Sequence, residues 1–394
     1  MSQNPHAAPR LIMSLGLGMI VSFASSYYLL GVLAEPLSVA TGAGTGQIFG
    51  ALSAAFLLSA VCSLISGRWT DQRGGREVLS AAALMFTLAL GLIAVAQTPL
   101  TAMIGVLALG LGMGFGLYAP ANALLVAVYG MEARRPITLI SLIGACGGAI
   151  GWPLTLWLVE MVGWRGACWV WAVAHLLVCL PLYGLCLPKD RRRVSSREDE
   201  PLKWNRPMVQ LALLFAGGWW VSTACAAQLP RVMTALGLDA TSAVLAAGTM
   251  AVAAIGVRIL SLMVPARTSP LRLVRVACLL HPLGVAIAFL GGKPSAVVIA
   301  LGQGAGNGLL SVAAGVLPLH IFGQSHYGQR QALILLPARF VQAIAPVSFG
   351  VVLNQSVGWA LGLSSVVCLV MLGLSFGLGP RPLKSSVAKA LDGA

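Results

Sequence analysis

Charge is what this sequence has least of. Asp, Glu, Lys and Arg together make up 9% of its 394 residues, where soluble domains carry about 25%. A soluble fold covers itself with charged side chains, so a chain this poor in them would expose apolar surface everywhere in water. Disorder is excluded by the 58% of hydrophobic residues, because disordered chains have too little apolar surface to fold. The cysteines Cys62, Cys146, Cys168, Cys179, Cys186, Cys225, Cys278 and Cys368 include no Cys-x-x-Cys pair. Neither a zinc site nor a disulfide framework is expected, and packing as small apolar residues is the plain reading beside soft-metalloid binding. No Gly-x-x-x-x-Gly-Lys-Ser/Thr loop is present to cradle a nucleotide phosphate, which argues against an ATP-driven pump. Convergent catalytic groups are lacking too, which argues against a membrane enzyme. No cofactor and no metal are expected.

What fills the chain instead is long uncharged runs. No charged residue occurs in 11–34, 36–67, 78–131, 136–159, 166–188, 207–230, 294–329 or 340–380. A helix crossing a bilayer needs about 20 apolar residues, so each run can hold one span and the longest two. Breaks at Gln97-Thr98-Pro99 and Asn354-Gln355-Ser356 divide the double runs. With 240–266 and 276–292 added, twelve spans are expected, numbered 1 to 12 in chain order. The first run is too long for a cleaved signal peptide and is followed by others, so it reads as span 1. The fold class expected is an all-α polytopic membrane protein.

The formal charge of +14 then reports topology. With both termini in the cytoplasm, twenty of the 25 lysines and arginines fall on that side. They include Arg10, Arg68, Arg73, Arg76, Arg134, Arg135 and a basic run around Arg191, Arg192 and Arg193. The opposite side holds only Arg165, Arg231 and Lys293. Such a bias is the positive-inside rule, and it makes the lipid bilayer, not nucleic acid, the partner of the basic residues.

Residues 189–206 form the one long hydrophilic segment. They divide the chain into an N-terminal six-helix half, 1–188, a charged cytoplasmic linker, and a C-terminal six-helix half, 207–394. The halves repeat. ALGLGMGFGL from Ala108 and ALGQGAGNGL from Ala300 share seven of ten residues at an offset of 192; Pro153 matches Pro346, and Val162-Gly163-Trp164 matches Val357-Gly358-Trp359. Repeated halves around a central site are a common construction of secondary transporters. Gly112 and Gly116, like Gly304 and Gly308, lie four apart on one helix face, where they let helices approach closely.

Between spans 2 and 3 stands Gly67-Arg-Trp-Thr-Asp71-Gln-Arg-Gly74-Gly-Arg76. It resembles the signature loop of the major facilitator superfamily, G-x-x-x-D-R-x-G-R-R/K, with Gln72 and Gly75 where basic residues are usual. The resemblance implies twelve helices in two pseudo-symmetric six-helix bundles, a cavity lined by spans 1, 4, 7 and 10, and a monomer. It also implies a bacterial inner membrane and a gating loop of Gly67, Asp71, Gly74 and Arg76 that latches the halves together. A carboxylate at Asp71 would sit well against a helix N-terminus, whose dipole favours negative charge. A second stretch, 131–166, with Arg134-Arg135, Pro153 and Gly163-Trp164-Arg165, is similar to the monocarboxylate-porter-type branch. In that branch an arginine on span 8 holds the substrate carboxylate, a role Arg258 would take here. Ala254 stands where the branch has an acid, and the usual lysine of span 1 is missing.

Arg258 is informative by itself, because a mid-membrane arginine normally faces a polar cavity or a partner; snorkelling to the surface is the alternative. Arg339 reads as an anchor or latch partner near the cytoplasmic end of span 11. Polar residues at helical spacing mark the other candidates for binding a small solute: Tyr27 on span 1, Tyr118 and Asn122 on span 4, Trp220 and Gln228 on span 7, Gln303 and Asn307 on span 10. No Asp or Glu lies deep in any span. His175, His281, His320 and Glu35 are the remaining titratable groups, so proton coupling has few carriers. The function expected is a secondary transporter for a small organic solute, an anion where Arg258 faces the cavity, with export of a drug or trivalent metalloid as the alternative.

Overall fold

The computed structural model describes residues 7–189, 202–265, 268–292 and 295–379. Residues 190–201 of the expected linker, with its basic run, lie outside them, as do Arg267, Lys293, Arg381, Lys384 and Lys389.

A bilayer offers no partner for exposed backbone polar groups, so a spanning chain must satisfy them inside helices or a closed barrel. The described residues take the first solution and contain no strand. Nine helical stretches are long and apolar enough to cross a membrane, and one of them, Pro99–Cys186, runs for 88 residues. That stretch holds three crossings. Its crossings are divided at Gly130, whose φ is 60°, and at Gly163, whose φ of 74° is open to glycine and not to other residues. The extended backbone at Leu117 is a kink within span 4. Ala7–Ala24 and Leu30–Thr41, each too short to cross alone, together make span 1. The total is twelve crossings in two six-helix bundles.

Helix ends follow local chemistry. Thr98 caps span 4 by accepting from the Thr101 amide, with Pro99 in the first turn. Ser356 caps span 12 by accepting from the amides of Gly358 and Trp359. Gly163 and Ser356 thus join spans 5 and 6, and spans 11 and 12, by different local means within the same repeated Val-Gly-Trp sequence.

Three boundaries differ from those the uncharged runs suggest, and for one reason: a charge ends an apolar run without ending a helix. Span 2 is Thr45–Arg73, so the first seven residues of the signature are its last turns, and only Gly74, with φ 92°, separates it from span 3, Gly75–Ala94. Span 1 continues past Glu35, which is exposed on its second helix. Span 11 is Tyr327–Gln355, which moves Arg339 from a helix end to mid-helix.

The repeat is also in a different register. Gly110 and Gly114 press span 4 onto Ala55, Ser59 and Cys62 of span 2, while Gly112 and Gly116 face Phe86 of span 3. In the other half Gly304 and Gly308 press span 10 onto Met250, Ala254 and Val257 of span 8, and Gly302 and Gly306 face span 9. Gly110 and Gly114 are therefore the packing counterparts of Gly304 and Gly308, an offset of 194. The alignment at 192 maximises identity, but two residues turn a helix by roughly 200° and exchange its faces. Both registers keep glycine at helix contacts because glycines recur every second residue.

One hydrophobic core fills the N-terminal half and continues into Val312, Val316, Leu319 and Tyr327 of the other. The C-terminal half has two cores of its own, one toward each end of the bundle. His175 is buried in the first half, hydrogen-bonded to Ser25 at 2.8 Å and stacked on Phe86. His281 is buried in the second, 2.9 Å from Ser364. Both serve helix packing inside a bundle.

A Cβ at Gly308 would lie 2.7 Å from the Ala254 carbonyl oxygen, whereas one at Gly362 would meet nothing within 4 Å. Gly308→Ala is expected to cost about 1–3 kcal/mol by overpacking and to lower the unfolding temperature in detergent. Gly362→Ala is expected to leave it unchanged or raise it, since Ala favours helix by up to about 1 kcal/mol.

Candidate substrate cavity

The halves meet most tightly at one end of the bundle. There span 2 crosses the start of span 11 at paired glycines: a Cβ at Gly67 would lie 2.5 Å from the Gly328 carbonyl oxygen, and one at Gly328 would lie 2.7 Å from that of Gly67. This approach brings the Asp71 carboxylate onto the first turn of span 11. Its Oδ1 accepts from the Gly328 amide and its Oδ2 from the Gln329 amide, both at 2.9 Å. The four leading amides of a helix have no partner within it, and a charge-assisted hydrogen bond to one is worth about 1.5–3 kcal/mol. His326, the residue that caps this helix, has a positive φ of 48°, which turns the chain sharply into span 11.

Gly74 makes the turn after Asp71, and Gly75 packs where a Cβ would lie 2.6 Å from Leu124. A basic side chain in place of Gly75 would not fit. Arg76, in the first turn of span 3, is half-buried and donates no hydrogen bond among the described residues. Further contacts close this end: Arg134 donates to the Thr268 carbonyl at 2.6 Å, and Asn122 and Ile137 pack on Gly315. The opposite end of the bundle is open.

The opening leads to a cavity of about 540 Å³ between the halves, within the usual range for small-molecule sites. Phe23, Tyr28, Tyr118, Gly144 and Trp152 form its wall on the N-terminal side, and Met250, Ala251, Ala254, Arg258 and Asn307 much of the other. Phe23 and Tyr118 pack with ring centroids 4.9 Å apart, and Tyr28 meets Trp152 edge-on at 5.5 Å. Toward the open end, Pro230 and Val244 also line a shallower recess of about 490 Å³ that contains Arg231.

Arg258 dominates the wall electrically. It is 7% exposed, and its guanidinium spans both halves. Nη1 donates to the Ala254 carbonyl at 2.8 Å, Nη2 to Ser311 Oγ at 2.7 Å, and Nε to Ser141 Oγ at 3.3 Å across the interface. All three acceptors are neutral. Insertion scales put a central arginine at about 2.5–3.5 kcal/mol, and hydrogen bonds offset part of that without cancelling the charge. No carboxylate lines the cavity among the described residues.

Of the residues singled out from sequence, Arg258, Tyr118 and Asn307 meet in this wall. Tyr118 also donates to the Ser141 carbonyl at 3.3 Å. Asn122 lies one turn farther along the helix and is buried at the closed end. Gln303 is buried one turn from Asn307, outside the wall. Trp220 donates to Ser348 at 2.9 Å, which ties span 7 to span 11. Gln228 accepts from Arg231 at 2.9 Å, and Arg231 also donates to Asn354 at 2.7 Å, so Gln228 belongs to a polar rim near the open end. Tyr27 is half-buried behind Tyr28 and contacts Phe56. Sequence reasoning missed Ser141, the residue that carries Arg258 across the interface. A serine in a glycine-rich span has no pattern that separates it from other packing serines. Phe23 and Trp152 were equally hidden among the aromatic residues.

Asp71→Asn keeps one acceptor oxygen but sets an NH2 group against the second amide. The loss is expected to be about 1–3 kcal/mol, a 5- to 150-fold shift of population toward opening of the closed end. Reaction of an impermeant thiol reagent with Ala251→Cys, on the cavity wall, should slow from the open side when Asp71→Asn is added; equal rates would refute this.

The sequence model of the family described as Major Facilitator Superfamily matches residues 15–302. No curated protein matches the chain in sequence. Among solved structures, the human organic anion transporter MFSD10 (TETRAN) superposes with a TM-score of 0.75 at 15% identity, covering 95% of this chain and 100% of that one. FucP in the outward conformation gives 0.76 at 14% identity, covering 93% and 98%. The proton:xylose symporter XylE gives 0.71 at 13%, covering 95% of each chain. At these identities the likeness speaks for the fold.

Proposed function

This chain belongs to the major facilitator superfamily, and from that premise we propose that it carries a small organic anion across the membrane by alternating access. The observation that supports this most is Arg258: a buried guanidinium in the cavity wall, bonded to both halves and facing no carboxylate. In a low-dielectric interior such a charge is stabilised by a counter-ion, and a cavity open at one end admits one from water. The fold itself serves both an organic anion transporter and sugar symporters. An unneutralised arginine favours the first class of solute, and fits the role that the span 8 arginine has in monocarboxylate porters.

The positive-inside bias supports a cytoplasmic position for the Asp71 end and for both termini. The form described here is then the outward-facing one, with the Asp71 contact as its cytoplasmic latch. Neutralising Arg258 with substrate lowers the desolvation cost of closing the outer end, which couples binding to closure. Direction of net transport follows from the gradients imposed. No acid lines the cavity and both buried histidines lie inside the bundles, so the anion itself, not a proton, is the group that changes the cavity charge. Export of a trivalent metalloid finds less support. No cysteine lines the cavity, and no group of three His, Cys, Asp or Glu side chains is arranged to hold a metal ion among the described residues.

Saturable uptake of labelled carboxylates, but not of neutral sugars, is expected in proteoliposomes of the purified protein. Arg258→Gln should lower kcat/KM by roughly 10- to 150-fold, the equivalent of about 1.5–3 kcal/mol for a charged hydrogen bond. An inward proton gradient should leave the initial rate unchanged. Sugar uptake, or anion uptake indifferent to Arg258→Gln, would overturn the proposal.

A further inference from the structure

The rings that line the cavity all stand on one side of it. Phe23, Tyr28, Tyr118 and Trp152 belong to the N-terminal half, and the lining residues of spans 7 and 8 include no ring. The four make one continuous band: Tyr118 meets Phe23 with centroids 4.9 Å apart, Phe23 meets Tyr28 at 6.5 Å, and Tyr28 meets Trp152 at 5.5 Å. Span 5 sets the order of the band. A Cβ at Gly144 would lie 2.5 Å from the Tyr118 hydroxyl, one at Gly147 2.9 Å from the Phe23 side chain, and one at Gly148 2.8 Å from the Tyr28 ring. These glycines seat the aromatic side chains close against the bare helix, and Trp152 follows one turn later. Span 5 starts at the closed end, where Arg134 holds Thr268, and reaches Ser141 before Gly144. From Ser141 to Trp152 it rises about 16 Å, so the band runs from the partner of Arg258 toward the open end.

The polar tips of these rings are spent inside the protein. Tyr118 donates to the Ser141 carbonyl at 3.3 Å, and the Trp152 indole N–H donates to the Tyr28 carbonyl at 3.0 Å. What the band offers a ligand is ring surface, which favours offset or edge-on contact with another ring. At its inner end Ser141 is shared: its carbonyl takes Tyr118 and its Oγ takes Arg258 Nε at 3.3 Å, so ring and guanidinium are neighbours. A guanidinium has five N–H groups, and Arg258 spends three on Ala254, Ser141 and Ser311. The remaining two suffice for one bidentate carboxylate. No second cation lines the cavity, so a single acid group is the match.

The facing wall leaves space for a flat body. Gly248 lines the cavity, and a Cβ there would meet nothing within 4 Å. The volume of about 540 Å³ is several times the roughly 150 Å³ that holds benzene, which admits one ring or two fused ones. A rigid ring also loses less conformational freedom on binding than an alkyl chain of similar area.

We propose that the substrate is an aromatic monocarboxylate, with its acid group on Arg258 and its ring along Tyr118, Phe23 and Tyr28, admitted by the bare backbone at Gly248. Such a ligand touches both halves at once, the C-terminal half through its charge and the N-terminal half through its ring. This inference rests on the anion-carrier reading, and the test separates them.

Uptake into proteoliposomes is to be compared for labelled acetate, cyclohexanecarboxylate, benzoate and 2-naphthoate, with protein-free vesicles setting the passive background. Benzoate should exceed cyclohexanecarboxylate, a saturated ring of similar size, by about three- to tenfold in kcat/KM. Tyr28→Leu should reduce that preference to within about twofold, whereas Tyr28→Phe should keep it, because the ring makes the contact. Gly248→Leu adds a side chain in open space and not in packing, and the ratio of 2-naphthoate to acetate uptake should fall about tenfold or more. Competition on the unaltered protein gives an answer that needs no variant: methyl benzoate, which keeps the ring and loses the charge, should inhibit about tenfold more weakly than benzoate. Equal uptake of the saturated and aromatic rings, an undiminished preference in Tyr28→Leu, or an unmoved naphthoate-to-acetate ratio in Gly248→Leu overturns the inference. Arg258-dependent uptake of carboxylates in those cases leaves the anion-carrier reading standing. Equal inhibition by methyl benzoate, or absence of uptake for every carboxylate, overturns both.

Discussion

The Asp71 carboxylate, seated on the first two free amides of span 11, is the contact on which the shape of the molecule depends. Each half has its own glycine-packed helices, and the N-terminal core reaches into the other half only through Val312, Val316, Leu319 and Tyr327. What fixes their relative tilt is the end where Gly67 and Gly328 let two backbones touch and Asp71 closes the gap. Helix amides are strong donors with no partner of their own, and a carboxylate satisfies two of them while meeting the positive end of the dipole. The cavity is open at the far end because the bundle is pinned at this one. A contact between one side chain and one helix end can also be undone without breaking a hydrogen bond inside any helix. That reversibility is what the proposed alternating access requires.

Electrostatics inside the bundle complement the latch. The bilayer interior does not solvate ions, so a buried arginine needs a counter-charge or water. Arg258 has neutral oxygen partners and a cavity. Under the proposed function, substrate supplies the charge that the cavity wall omits. His175 and His281 bind serine hydroxyls within their own bundles, away from the path between the two ends. They stand on spans 6 and 9, which are not counterparts in the repeat.

How far the sequence could be read is clearest at particular residues. Asp71 was legible as a carboxylate fit for a helix N-terminus, because its neighbours Gly67 and Gly74 signal a tight approach. The first amide that receives it lies 257 residues later, and nothing in the local pattern names it. Glycines four apart were legible as contact faces, yet the partner helix depends on rotation about the axis, and a two-residue register error exchanges one face for the other. Tyr118 and Asn122 share a face, as their spacing requires, but one helical turn carries Asn122 about 6 Å toward the closed end. Arg339 was misplaced because an apolar run stops at a charge, whereas the helix continues through it.

Scarcity of charge, with the positions of the few charges that remain, determined that this chain is a multi-pass helical membrane protein and led to the expectation that its basic residues face one side. It also determined that the interior would hold arginine without acid, since no fold can supply a carboxylate the spans do not contain. Which arginine meets the cavity, which helix end receives Asp71 and which polar stripe is wetted were decided only in the tertiary structure. Those outcomes depend on the phase and depth at which each helix packs against another. Both are set by side-chain volumes at long-range contacts, and a one-dimensional pattern of charge and hydropathy does not record them.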